Sequence, residues 1–453
     1  METSIQNNNS VQHFLELFNG NLLQQKKLPE ALQSLHNKGI GEFKKIGFPE
    51  KKSEQYKYTF LEPLFDNDYK QSLQPENFNF EVEEIFKCDV TNLDTYTVLF
   101  INGFYYHKNK LLENIPDGVW IGSLAKAAFE KPELLKKYLD KIATNDEGLV
   151  PLNSAFFQDG IVVYVPKNVT IEKPLQIINV LLSDEDLLVQ QRNLIVLDEN
   201  SSAKLVICDH TLSDKNFLSN SVTEISVGKG AQLNQVFLQN EHNGAKKISS
   251  IFIRQEQNSK VTSNTITLHG GLVRNNMNVL LDGEGAENNS YGLFLTDKSQ
   301  HVDNYVFINH AVPLCTSNQL FKGVLDDASS GSFNGKVLVS RDAQKTMAYQ
   351  KSSNLLLTAE AKMNTRPQLE IYADDVKCSH GATVGQLDQE ALFYMRARGI
   401  SKEEARLLLM YAFATEIVDQ VQIPLLKERL TDLVNLRLRG ELTRCQNCAI
   451  HCC

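Results

Sequence analysis

Three places in the 453-residue chain concentrate side chains able to hold a metal or attack an electrophile. In EIYADDVKCSHGATVGQLDQEALF, Glu370 to Phe393, Cys378 and His380 stand two residues apart. A strand puts residues i and i+2 on one face, so both side chains reach a common point. They read as part of a metal site, as a nucleophile with its base, or as two ordinary residues at a domain boundary. The triplet CDH, Cys208 to His210, repeats the spacing. Two ligands are half of a typical metal shell, and a strand end with a buried thiol and a surface imidazole is the favoured reading there. The last nine residues, CQNCAIHCC, carry Cys445, Cys448, His451, Cys452 and Cys453. These soft donors suit metal or thiol chemistry, but a chain end with so little apolar content is expected to be a solvated tail.

Other chemistries fail on their spacing. SSGSFNGKV, Ser329 to Val337, approaches a phosphate-binding loop, yet Ser330 stands where the first glycine belongs and Val337 where Ser or Thr must follow Lys336. The expectation is a corner in a repeat, with no nucleotide site of its own. No Ser-His-Asp order, H-E-x-x-H or dinucleotide fingerprint is present. The net charge of -9 argues against nucleic acid as a partner. METSIQNNNSVQ has neither the basic nor the apolar region of a secretory signal. No run approaches the roughly 18 apolar residues of a membrane span. The expectation is therefore a cytoplasmic protein, with no membrane partner, whose eight cysteines are thiols or ligands.

These residues need elements to position them. Residues 1–150 read as mixed and mainly helical, with VQHFLELFN and PELLKKYLDKIA apolar at three- and four-residue spacing. From GIVVYVPKNVTIEKPLQIINVLL, Gly160 to Leu182, the texture changes to short strands between Asn, Gly, Ser and Asp. Within it a strand–corner–strand unit recurs. Aligned on Ala203, Ala231, Lys260, Ala286, Gly331 and Ala361, its steps are 28, 29, 26, 45 and 30 residues, the long one leaving room for an extra coil. Such a period predicts a solenoid or propeller, and the irregular steps favour a parallel β-helix over residues 151–385. A two-sheet sandwich is the competing arrangement. Residues 386–444 read as helical, with a capping box at Ser401 and Glu404 and Pro424 opening a last helix. Leu407 to Ala414 is apolar nearly all round, so the solenoid, another helix or a partner must cover it. Residues 445–453 are the tail.

The stretch PQLEIYADDVKCSHGATVGQLDQEALFYMRARGI, Pro367 to Ile400, closely resembles the signature of the SufB/SufD family of iron–sulfur cluster assembly proteins, on its SufD side. GKVLVSRDAQKTMAYQKSSNLLLTAEA, LNSAFFQDGIVVYVPKNVTIEKPLQI and GFPEKKSEQYKYT extend the resemblance from about residue 47 to about residue 440, with Tyr56 where the family usually has Trp. It implies a right-handed parallel β-helix between helical N- and C-terminal regions and a non-enzymatic scaffold role. It also implies pairing with SufB through the β-helix, and recruitment of the SufC ATPase through the C-terminal helices at about 401–440. A homodimer of the isolated chain is a further implied partner state. His380, with Cys378 beside it, is then the metal-site candidate, holding a transient Fe–S cluster shared with SufB. No motif assigns a flavin, and the resemblance does not reach the cysteine-rich tail.

Two other readings stand beside this one. A SufB-like sister would carry a Glu-His-Glu-Ala type sequence where this chain has CSHGAT. A solitary β-helix enzyme acting on polysaccharide would need clustered carboxylates or basic residues along one solenoid face and an export signal. Fold alone does not choose between them.

Overall fold

The computed structural model describes residues 9–21, 28–72, 74–75, 93–106, 112, 114–144 and 148–442. The cysteine-rich tail, with Cys445, Cys448, His451, Cys452 and Cys453, lies outside the described residues. The fold is mainly β, a solenoid of about eight coils with helices at both ends.

Successive strands alternate between two sheets, and within each sheet they stack in parallel one coil apart. The first sheet runs through Trp120–Ser123, Ile161–Val165, Leu187–Leu197, Phe217–Val227, Ala245–Gln255, Leu272–Leu281, His301–His310, Ser330–Val339 and Lys362–Ile371. The second runs through Phe104–Tyr105, Tyr96–Ile101, Leu175–Leu181, Ser202–Thr211, Gln232–Asn240, Lys260–His269, Glu287–Thr296, Thr316–Leu325, Met347–Leu356 and Lys377–Gly385. Strand pairs thus begin inside the first 150 residues, where short strands between helices left little periodicity to read. At this N-terminal end two antiparallel returns, Phe104–Tyr105 on Tyr96–Ile101 and Trp120–Ser123 on Ile161–Val165, close the sheets.

The repeat has a physical cause at the corners. Ahead of successive strands of the second sheet, Asn168, Asn200, Gly230, Asn258, Gly285, Leu314 and Lys345 all hold positive φ. Asn and Gly tolerate that conformation best, so they recur there. The Asn200 amide donates to Asn168 Oδ1 across one coil at 3.2 Å. Inside, Val98, Ile195, Ile225, Leu233, Val261, Val279 and Ile308 form one apolar column. The 45-residue step between Ala286 and Gly331 holds three strands where the other steps hold two, because the alignment passes from a second-sheet corner to a first-sheet strand. SSGSFNGKV is likewise no corner but most of the strand Ser330–Val339. Its Ser, Gly and Asn hide strand character, and the corner precedes it, at Asp327 with positive φ.

Helices cover the outer faces. We number them α1 (Asn9–Gly20), α2 (Glu30–Ile46), α3 (Leu124–Glu130), α4 (Pro132–Tyr138), α5 (Leu149–Phe156), α6 (Gln389–Ala397), α7 (Lys402–Val418) and α8 (Pro424–Arg439). Against the second sheet, Met410, Ala414 and Ile417 of α7 and Leu430 and Val434 of α8 pack on Val206, Val236, Ile266, Leu293 and Val324. The solenoid face therefore takes half of the all-round apolar helix. Ser401 Oγ accepts from the Glu404 amide at 3.1 Å, as expected. The Glu404 carboxylate instead reaches Arg439 of α8 at 2.9 Å, tying the two helices together. Among the described residues no helix is long and apolar enough to cross a membrane.

Buried ions hold the N-terminal region to the first sheet. Glu224 accepts from Arg192 at 2.7 Å and from the backbone amides of Asp140, Lys141, Ile142 and Ala143. Burial opposes its charge, but Arg192 and those amides win and hold the carboxyl below its ordinary value. Asp303 takes Arg274, Ser332 and, at 2.5 Å, the Thr59 hydroxyl. The Arg274 guanidinium also lies 4.6 Å from the Tyr56 ring centre and 5.5 Å from that of Tyr305. The KSEQYKYT segment is thereby pinned to the solenoid.

A group whose folded pKa is depressed adds stability above its unfolded value and loses it as pH falls through the folded one. Replacing Glu224 by Gln should cost about 3–5 kcal/mol at neutral pH, because Arg192 is left charged and buried. Thermal melts of both proteins across the acid range check this. The gap between them should narrow as pH falls, and a gap independent of pH would refute the assignment.

Candidate functional site

Cys378 and His380 lie on Lys377–Gly385, the outermost strand of the second sheet. Register decides which way they face. Cys378 is opposite Ala348 and His380 opposite Gln350, and both partners are buried inside the solenoid. Cys378 accordingly packs beside Val337, Val339 and Ala348 in an apolar cluster within the coil. Two residues on, His380 shares that inward direction but is exposed, since no further coil lies above it among the described residues. The pair is thus brought together on one face, at the mouth of the solenoid.

The mouth is open by construction. Lys362–Ile371 and Lys377–Gly385 each pair with one strand only among the described residues, so both present a free edge. Register points Met363, Thr365, Leu369 and Ile371 of the first and Ala382 and Val384 of the second into the unfilled lumen. Ile371 and Val384 are 39% and 44% exposed. Around the rim, Tyr349, Tyr372, Phe393 and Tyr394 are also exposed. An added Cβ on Gly381 or Gly385 would meet nothing within 4 Å, so another chain has room to approach. Pro367, which cannot donate to a ladder, stands on the edge strand, where it blunts indiscriminate pairing.

A thiol and an imidazole are the usual side-chain ligands of clustered iron. Among the described residues no three His, Cys, Asp or Glu side chains group tightly enough to hold a metal. The mouth therefore offers a pair of donors, not a full shell. Burial pushes the Cys378 thiol above its ordinary value, partly offset by the Ala348 backbone. A thiol held above its ordinary value is protonated at neutral pH, and any metal bound there would have to displace that proton.

The other sequence candidates separate from this site. Cys208 lies under the C-terminal helices, packed with the outer-face cluster of the second sheet. His210 is buried at 4% exposure rather than at the surface, because an earlier and a later coil flank its strand on both sides. Lys336 of SSGSFNGKV pairs with Glu370 at 2.8 Å. The open lumen residues on Lys362–Ile371 went unread, although the alternation in MNTRPQLEI marks one inward face.

Reactivity at Cys378 tests its surroundings. Alkylation with iodoacetamide near neutral pH, followed by peptide mass mapping, should be several-fold slower there than at an unhindered cysteine of ordinary pKa, about 8.5. The rate should climb as pH rises past that value. Labelling at the unhindered rate would contradict the buried thiol.

Comparison with known proteins adds a second line. Residues 8–177 match the model of the SufBD protein N-terminal region, and residues 180–413 match that of the SufBD core domain of the SUF system for FeS cluster assembly. An iron–sulfur cluster assembly SufBD family protein of Synechocystis is 30% identical over 403 residues, covering 86% of this chain and 88% of its own. The iron–sulfur cluster assembly protein SufD of Escherichia coli is 27% identical, covering 92% of this chain and 94% of its own. The SufD of Bacillus subtilis is 25% identical over 84% of this chain and 87% of its own.

Proposed function

From the premise that the chain belongs to the SufBD family of iron–sulfur cluster assembly proteins, we propose that it is a SufD-type scaffold subunit. It pairs with SufB through the mouth of the solenoid and shares a nascent cluster there. The observation that carries this reading is the open terminal coil, where free strand edges and unfilled lumen surround Cys378 and His380. A solenoid end needs a cap, and a partner's own edge strands and apolar lumen residues supply one. The cluster is cargo: His380 is its first ligand from this chain, Cys378 the weaker second, and SufB completes the shell.

The subunit turns over no substrate of its own. ATP hydrolysis belongs to SufC, docked on the C-terminal helices. The inner half of α7 is spent on the solenoid, which leaves Leu408 and Leu425, 39% and 57% exposed, as the apolar part of that contact. Differential contacts of SufC in its two nucleotide states would move α7 and α8 against the second sheet. The reducing cytoplasm is where such thiol chemistry runs.

Co-expression with SufB and SufC, followed by anaerobic purification, tests the reading. A stoichiometric complex is expected. His380→Ala should lower cluster maturation by about tenfold or more, since losing even a ligand's supporting partner costs about that much. Cys378→Ser should cost less. Thr365→Arg, aimed into the lumen mouth, should block SufB while sparing SufC. Failure to bind SufB, or full maturation with His380→Ala, overturns the proposal.

A further inference from the structure

Behind the mouth, the inner face of the second sheet carries a column of polar side chains. Register stacks Ser290, Gln319, Gln350 and His380 on successive strands, one coil apart. Neighbouring strands lie about 4.8 Å apart, so side chains at matched positions meet the ones above and below. Ser290, Gln319 and Gln350 are buried, while His380, on the last coil, is exposed.

The two glutamines form a short amide ladder. Gln350 Nε2 donates to Gln319 Oε1 at 3.1 Å. An amide in a ladder turns its N–H toward one neighbour and its oxygen toward the other. The unpaired atoms fall where that polarity puts them: Gln319 Nε2 at the inner end and Gln350 Oε1 at the end nearer the mouth. Inward of Gln319 the ladder stops at Ser290, a short side chain whose hydroxyl is given to Asn288 at 2.8 Å. On the mouth side of Gln350 the next rung is His380.

Gln350 is held in place from across the lumen. Its amide packs on Gly335 of the first sheet so closely that a Cβ there would collide with Nε2. One coil further on, the residue in register with Gly335 is Pro367. Proline has no polar side chain, so at that level the facing strand offers an imidazole no side-chain acceptor. Closing the mouth buries the His380 ring, and a buried ring N–H needs an acceptor. A metal-ligating histidine almost always gives its second N–H to an oxygen, which fixes the tautomer and the ring's orientation.

Resting on the reading of His380 as a cluster ligand, we propose that Gln350 is its positioning residue. Gln350 Oε1 accepts one imidazole N–H when a partner closes the mouth, and the ladder gains its third rung. The other ring nitrogen then keeps its lone pair and is directed outward, toward the shared cluster. In the uncapped chain the ring is exposed and Gln350 Oε1 is unpaired, so docking and ligand orientation are one event.

The test uses the complex with SufB and SufC, with ring-15N histidine in this chain alone. Solid-state NMR above pH 8 reads the tautomer, and the His380→Ala complex identifies the signal. His380 should hold a single tautomer in the wild-type complex and a mixture in Gln350→Met, which keeps the length and removes the acceptor. Gln350→Met should also lower cluster maturation about tenfold, the cost of losing a ligand's supporting partner. Gln350→Glu, which keeps an acceptor, should restore most of it. If Gln350→Met fails to assemble, the wild-type tautomer and Gln350→Glu still decide. Mixed tautomers in the wild-type complex, or an unchanged tautomer and full maturation in Gln350→Met, overturn the proposal. Should His380→Ala impair maturation where Gln350→Met does not, only this inference falls; should neither impair it, the ligand role of His380 falls too.

Discussion

A parallel solenoid gains its stability by stacking, since each coil satisfies the strand edges and fills the lumen of the one before. That rule leaves two ends to be dealt with, and this chain closes one of them. Antiparallel returns and an aromatic, apolar plug around Tyr96, Phe100 and Tyr105 seal the N-terminal coil. At the other end, among the described residues, the last two strands keep one free edge each, and inward residues that would be core anywhere else are left facing out. The placement of Cys378 and His380 follows from that asymmetry. In the middle of the solenoid the same pair would be buried and inert, as Cys208 and His210 are.

The outer faces answer a different constraint. The second sheet is apolar outside and is covered by α7 and α8, so the C-terminal helices rest directly on the solenoid. The first sheet carries polar and charged groups outside, and the N-terminal region docks there through ions that are fully enclosed. Enclosed ions fix orientation more than they add net stability. Here they hold two N-terminal segments, residues 140–143 and the stretch with Tyr56 and Thr59, at set places over the sheet.

Much of this was legible in the residues. The left-handed corners announce themselves as Asn and Gly at a period near thirty, and Ser401 marks the start of α7 as expected. The family resemblance rested first on Pro367 to Ile400, which spans the terminal coil and α6, and on three further stretches beginning near residue 47. What stayed hidden had physical reasons. Arg192 and Arg274 stand at outward positions of strands, where a charge ordinarily means solvent, and nothing local signals the N-terminal segments that bury them. Ser330–Val339 is rich in small polar residues because its own Phe333, with Phe321 of the facing sheet, fills the lumen, so its composition suggested a corner. The strands within residues 96–123 are short and pair with coils far along the chain, leaving no local period.

The central claim is that the open coil is a docking end, and hydrogen exchange tests it most directly. Amide exchange at 362–371 and 377–385 would be followed by mass spectrometry in the dilute chain alone and after addition of SufB. The account predicts that the outward-facing edge amides of these two strands exchange freely alone and become strongly protected with the partner, while the strands at 202–211 and 232–240 change little. Unchanged exchange at both terminal strands in a complex that has demonstrably formed would contradict it.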